Sequence, residues 1–238
     1  YAEPDPTFDI EGLDAAHKIG ILSALCYGTT LPPEDFYIEG ISKIDNSDFR
    51  YAMEMGYTIK HLAVSSISNN KIELRAHPVL ISLNSYLANL KGVRNGIEID
   101  TDLLGTLHIA GSGAGQESTA SGIISDLVHL ANANANTYDD NNSNKKYTMS
   151  SFNDLSFQYY FYIEAEDIPG VMASITSIFA KKNIGIESIV QKENLDKNLV
   201  PIVLISDAFI EKEHSDLLAQ VLELESVNKI RSIRIEPN

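Results

Sequence analysis

Apolar residues recur at helical spacing in some stretches of this chain and alternate with polar residues in others. Ala15, Ile19, Leu22, Leu25 and Cys26 follow the 3.6-residue period, so the spacing predicts a helix over Asp14–Tyr27 with Cys26 buried on its apolar face. Strand-like runs follow at Phe36–Ile41, Tyr57–Ser65, Lys71–His77, Ile97–Ile99 and Thr106–Ala110. The second and third alternate, as half-buried antiparallel strands do. A further helix is predicted at Thr119–Ala131, where Ile123, Ile124, Leu127, Val128 and Ala131 form one stripe.

The region after residue 152 reads strand, helix, strand, strand, helix, strand. The strands are Gln158–Ala165, Ser188–Glu193, Leu199–Ser206 and Ile230–Ile235, with a polar turn at Asn194–Asn198. The helices are Gly170–Lys182, with Val171, Ile175, Ile178 and Phe179 on one face, and Lys212–Leu224. This βαββαβ order is the ferredoxin-like split unit. Between the halves, Asn132 to Phe152 is rich in asparagine and aspartate, which compete for local backbone hydrogen bonds and build no core. It reads as an exposed linker or long loop between two domains, or alternatively as a disordered tip within one domain. The expected architecture is α/β (α+β). Residues 1–131 form a mixed-sheet domain with helices on one face, 132–152 a linker and 153–238 the second domain.

The 238 residues are 44% hydrophobic, enough for a sizeable core, so global disorder is excluded. The formal charge of -15 is spread along the chain: residues 1–131 carry 8 basic and 17 acidic groups, residues 153–238 carry 8 and 14. With no basic face indicated, a nucleic-acid partner is not expected. No apolar run approaches the ~18 residues of a membrane span, and the chain opens without a charged-then-apolar leader. A cytoplasmic protein without a membrane partner is expected. One cysteine cannot form an internal disulfide, and the six histidines show no HxxxH or HxH spacing, so no metal is expected.

Three constellations could carry chemistry. Glu3, Asp5, Asp9, Glu11 and Asp14 precede Lys18, and Asp14 and Lys18, four apart, share a helix face. Such a lysine can move a proton to or from a hydroxyl, and carboxylates with spare capacity can hold an ammonium group. The same spacing also describes a surface ion pair beside a helix start. The run Gly111–Gly115, between a strand and a helix, lets backbone N–H groups approach a cofactor edge; it is equally a tight turn, with Thr119 as helix cap. It lacks GxGxxG spacing. Asp167-Ile168-Pro169-Gly170-Val171 ends a strand and opens a helix; its mouth can take a carboxylate, or Asp167 can simply cap the helix.

The run Glu3-Pro4-Asp5-Pro6 and then Asp9-Ile10-Glu11-Gly12-Leu13-Asp14-Ala15-Ala16-His17-Lys18 resembles the signature of homoserine dehydrogenases. The likeness continues through Glu39-Gly40-Ile41, Gly56–Lys60, Leu90–Ile97 and Gly111–Gly115 with Thr119-Ala120-Ser121, so it covers residues 1–131 in order. Asp167–Val171 and Asn183-Ile184-Gly185-Ile186 resemble an ACT domain, an amino-acid-sensing module. Gln116-Glu117-Ser118 departs from the small or apolar residues expected there, so Glu117 is given no binding role.

The resemblance implies NADP- or NAD-dependent interconversion of L-homoserine and L-aspartate 4-semialdehyde. It makes Lys18 the proton carrier, with Asp9 holding it, and Glu3 and Asp14 the substrate residues. Gly113, Ala114, Gly115 and Thr119 would meet the cofactor. Asp167, Gly170, Val171, Asn183 and Ile184 would bind a regulatory amino acid, threonine first. A homodimer or homotetramer is implied. No strand, glycine loop and helix of a nucleotide-binding fold is found in these residues. The chain therefore reads as the C-terminal part of such an enzyme, expected to be inactive alone; a non-catalytic amino-acid-binding module is the competing reading.

Overall fold

The computed structural model describes residues 4–29, 36–132, 147–191 and 198–237. A short helix α1 (Thr7–Ile10) leads into α2 (Leu13–Tyr27), then β1 (Tyr37–Ile38) and α3 (Asn46–Glu54). A long hairpin follows, β2 (Tyr57–Ser68) and β3 (Lys71–Ser82), then a second hairpin, β4 (Arg94–Thr101) and β5 (Gly105–Ser112), and helix α4 (Gln116–Asn132). The remaining elements are β6 (Thr148–Met149), β7 (Ser156–Glu166), α5 (Val171–Lys181), β8 (Ile186–Gln191), β9 (Leu199–Ser206), β10 (Phe209–Ile210), α6 (His214–Leu222) and β11 (Val227–Ile235).

β3 is the spine of a nine-stranded mixed sheet. Along one edge it pairs antiparallel with β2 over its full length, from Tyr57↔Ser82 to Ser68↔Lys71. The other edge is shared by three parallel partners: β6 at Lys71–Ile72, β1 at Arg75–Ala76 and β11 at Val79–Leu80. From β11 the sheet runs on through β7 and β9 to β8, the strand order of the ferredoxin-like unit. The sheet therefore passes from the first half into the second without a break. Most of the Asn-rich stretch between them lies outside the described residues, as does most of the polar turn expected at Asn194–Asn198.

Alternation along β7 explains the layers. Tyr159, Phe161 and Ile163 point to the cluster that holds Ile175, Phe179, Leu217 and Val221 of α5 and α6. Tyr160 and Tyr162 point the other way, to Tyr51 and Ala52 of α3 and Ile59 and Leu80 of the long hairpin. α2 lies on this second face too, where Ser23 Oγ meets Ser65 Oγ of β2 at 2.7 Å.

One expectation needs correction, and one helix was not foreseen. Cys26 is exposed, and the buried positions of α2 are Ala16, Gly20 and Ser23. The seam is made of small residues because the helix sits close on β2; the larger Leu25 and Cys26 turn outward. Helix α3 has no counterpart in the apolar pattern. It is set by polar chemistry: Asp45 N–H donates to Asp48 Oδ2 at 2.9 Å, and Ser47 N–H to Asp45 Oδ1 at 3.4 Å, a reciprocal cap. Buried Asp48 then accepts from Arg231 Nη2 of β11 at 2.9 Å.

Candidate active site and ligand grooves

The turn between α1 and α2 is built on two glycines. Gly12 has φ +81°, where L side chains are strained, and a Cβ on it would stand 2.7 Å from His61 Nε2. Gly40 packs against Ile10 O and Glu11 Cα, at 2.5 and 2.6 Å from where its own Cβ would be. Ile41 N–H donates to Ile10 O at 2.9 Å, and Ala16 N–H to Gly12 O at 3.0 Å. The motif Glu39-Gly40-Ile41 thus seats the motif Glu11-Gly12-Leu13, and α2 starts from that seat.

On the first turns of α2, Lys18 Nζ donates to Asp14 Oδ2 at 2.6 Å. Their side chains are 58% and 38% exposed, so the pair stabilises the fold by about 0–1 kcal/mol at most and keeps its polar atoms open to a ligand. Asp9 is exposed on α1 and lies outside hydrogen-bonding distance of Lys18; Asp14 is the carboxylate that meets the lysine. Glu3 lies outside the described residues. A cavity of about 410 Å³ opens beside the α1–α2 turn, lined among others by Glu11, Leu13, Tyr37, Glu39 and Lys43. It abuts the turn without including Asp14 or Lys18.

Gly113, Ala114 and Gly115 form the joint between β5 and α4. Gly113 N–H donates to Val93 O at 2.9 Å, and its Cα is pressed to the Asn95 side chain, where a Cβ would stand 2.1 Å from Nδ2. Gly115 has φ +117°. The bend presents bare backbone without a Cβ at Gly113 and Gly115. Thr119 does not cap the helix. α4 begins at Gln116, and the Ser118 and Thr119 hydroxyls turn back onto Gly115 O at 2.9 and 3.1 Å, inside the first turn. The stripe Ile123, Ile124, Leu127 and Val128 is exposed.

In the second half, Asp167, Gly170 and Val171 line a groove of about 470 Å³ with Ile168, Gln191 and Ile202. Gly170, at φ +98°, occupies the N-cap position of α5 without a side-chain cap. Asp167 is not the cap either; its Oδ1 accepts from Gln191 Nε2 of β8 at 3.2 Å. Asn183 and Ile184 lie away from this groove. Asn183 makes the left-handed bend after α5 (φ +56°), and Ile184 is buried in the core. Among the described residues, no group of three or more His, Cys, Asp or Glu side chains is placed to hold a metal, and no helix is long and apolar enough to cross a membrane.

A buried polar cluster has no counterpart in the sequence reading. Arg234 of β11 bridges Glu211, just before α6, and Glu39, just after β1, with Tyr37, Tyr159, His77 and Arg75 around it. Its sequence signal is faint: a single arginine, Arg234, set between Ile233 and Ile235 in the last strand.

Residues 1–128 match the family model described as homoserine dehydrogenase, and residues 161–229 match an ACT domain of the kind found in the AHAS small subunit. The homoserine dehydrogenase of Pseudomonas aeruginosa is 38% identical over 99% of this chain and 57% of its own length. That of Neisseria gonorrhoeae is 38% identical over 99% and 56%. The crystal structure of a homoserine dehydrogenase from Thiobacillus denitrificans superposes with a TM-score of 0.87 at 38% identity, over 99% of this chain and 56% of that one. The chain spans about half the length of the curated relatives it matches.

Proposed function

Because the chain belongs to the homoserine dehydrogenase family, we propose that it supplies the substrate side and the regulatory module of an NAD(P)-dependent oxidoreductase that interconverts L-homoserine and L-aspartate 4-semialdehyde. The observation that carries this reading is the Lys18–Asp14 pair at 2.6 Å, on a helix whose start is fixed by two glycine-seated motifs. When bound, the nicotinamide gives or takes the hydride. The chain's own residues handle the proton and the substrate. In aldehyde reduction the Lys18 ammonium gives a proton to the oxygen as it gains negative charge; in alcohol oxidation the amine takes it back. Asp14 orients the lysine and, with Glu3, meets the substrate ammonium. Asp9 borders the site from α1. Gly113, Ala114 and Gly115 would lie against the nicotinamide, with Thr119 behind them holding the bend.

In the full-length enzyme, Lys18→Ala should lower kcat by two orders of magnitude or more while circular dichroism shows a retained fold. A near-normal kcat would remove Lys18 from this role. The groove at Asp167–Val171 suits a free amino acid: its carboxylate at the open N-terminus of α5, its ammonium at Asp167. Threonine is the first candidate, and a ligand at 100 times its Kd adds about 2.7 kcal/mol to stability. A melting temperature unmoved by millimolar threonine, or by any amino acid tested, would sink that assignment.

A second reading, a binding and dimerisation module without catalysis, is favoured by one observation. Gly113, Ala114 and Gly115 follow directly on an antiparallel hairpin, and no parallel strand–helix–strand nucleotide-binding unit stands among the described residues. The 238-residue chain alone should therefore show no turnover. Robust NADPH oxidation by it with aspartate semialdehyde would overturn that expectation.

A further inference from the structure

The buried cluster around Arg234 ties the regulatory half to the turn that starts the Lys18 helix. Arg234 is 6% exposed, and its charge is met from both halves of the chain. Nε and Nη2 donate to the two carboxylate oxygens of Glu211 at 2.9 and 2.6 Å, a bidentate pair. Nη1 donates to Glu39 Oε2 at 2.8 Å, and Nη2 also reaches Tyr37 OH at 3.2 Å. The Tyr37 hydroxyl donates to the same Glu39 Oε2 at 2.6 Å. The rings of Tyr37 and Phe152 stack 3.7 Å apart, and each lies 4.9 Å from the guanidinium carbon.

Both ends of this cluster are fixed to elements that matter. Glu211 opens the turn into α6, and its N–H donates to Leu155 O at 2.8 Å. Glu39 N–H donates to Ala76 O of β3 at 2.8 Å, and Glu39 O accepts from His61 Nε2 at 2.9 Å. The next two residues, Gly40 and Ile41, are those that touch Ile10 and Glu11. Glu39 is thus gripped at its carboxylate by Arg234, while its neighbours hold the α1–α2 turn. Without Arg234, Glu39 and Glu211 would be like charges facing each other with little water, and Glu39 would have to move.

We propose that Arg234 is a positioning residue for Lys18, acting through Glu39 and the Gly40–Ile41 seat of the α1–α2 turn. The proposal rests on the reading of Lys18 as proton carrier. It gives the ACT half a physical hold on the catalytic helix, because the residue that places Glu39 is held by Glu211 beside α6.

The test is a double-mutant cycle in the full-length enzyme. Arg234→Lys keeps the charge but cannot serve Glu211 bidentately and Glu39 together. Tyr37→Phe keeps the ring stack and removes one bond to Glu39, a milder change that preserves the fold. Each is made alone and on the Lys18→Ala background, with kcat and the KM for NADPH measured. Arg234→Lys should lower kcat tenfold or more and Tyr37→Phe about threefold on the native background. On the Lys18→Ala background each loss should shrink below twofold, and the KM for NADPH should stay within twofold throughout. If Arg234→Lys does not fold, Tyr37→Phe decides. A kcat unchanged in the folded variants, or the same factor lost on both backgrounds, would overturn the proposal. A near-normal kcat for Lys18→Ala itself would instead overturn the reading beneath it, which separates the two failures.

Discussion

A single methyl group on Gly40 would stand 2.5 Å from a backbone oxygen and 2.6 Å from a backbone carbon of the neighbouring turn. Neither atom belongs to a flexible side chain, so the turn must shift as a whole. Gly40→Ala should cost about 1–3 kcal/mol by urea denaturation and lower kcat in the full-length enzyme. A stability and kcat equal to the parent would show that the seat is not tight. His77 carries a different signature. It is fully buried beside two arginines; burial first, then Arg234 and Arg75, press its pKa down to about 2. Burial holds His214 down to about 4 against the pull of Glu211. Burial also works to raise the Glu211 carboxyl, and the hydrogen bonds and charge of Arg234 outweigh it, leaving it below the usual range. Both histidines stay neutral in the folded state while the unfolded chain takes up protons below about pH 6.5. Stability is therefore full above that pH and falls as the pH drops, by about 1.4 kcal/mol per unit for each histidine. His77→Gln should make the acid slope between pH 6 and 4 in thermal melts shallower; an unchanged slope would refute this. At this scale the sequence was partly legible. Asp14 and Lys18 could be paired from their spacing alone, because a helix brings residues four apart together. Arg234 and Glu39 could not, because their contact joins positions 195 residues apart.

Among the elements, the longer strands and helices α2, α4, α5 and α6 were readable, because periodic apolar positions record which face is buried; the two-residue strands β6 and β10 were not. The seam of α2 escaped that logic. Ala16, Gly20 and Ser23 carry little hydrophobic signal, yet they let the helix come close to β2. Cys26→Ser, on the exposed side, should change stability by less than about 0.5 kcal/mol. Ser23→Leu should cost about 1–3 kcal/mol, because no space exists for the larger side chain and its bond to Ser65 is lost. Chemical denaturation of the two variants compares them directly, and a reversed order would refute the assignment of the seam. Helix α3, as short as α6, escaped for another reason: its buried face puts the carboxylate of Asp48 beside Tyr51 and Ala52, so the apolar pattern is broken, and its start is set by the Asp45–Asp48 cap. α4 shows the opposite case. Its stripe was legible, and in the structure it is uncovered, with Leu127 59% exposed.

For the whole molecule, the shared sheet matters more than the boundary between the halves. β3 and β11 are hydrogen-bonded neighbours, α3 packs on residues of β7 and β11, and Arg234 joins Glu39 to Glu211. The two halves should unfold together. Far-ultraviolet circular dichroism and the near-ultraviolet tyrosine signal should give one coincident transition in urea; two separate midpoints would show independent units. The sequence marked a likeness to two known modules but carried no mark of this fusion, because pairing of β3 with β11 leaves no local pattern.

That fusion also bears on how the chain is made. Arg75 of β3 forms its ion pair with Glu236, 161 residues further along, at 2.7 Å. A ribosome adding about 5–20 residues per second needs on the order of ten seconds or more to cover that interval. Until then β3 has only β2 and short strands for company, and part of its edge is an open template for a strand of another chain. The strand that completes the sheet is also the one that carries Arg234, so the edge is closed and the Lys18 helix is braced in the same late event.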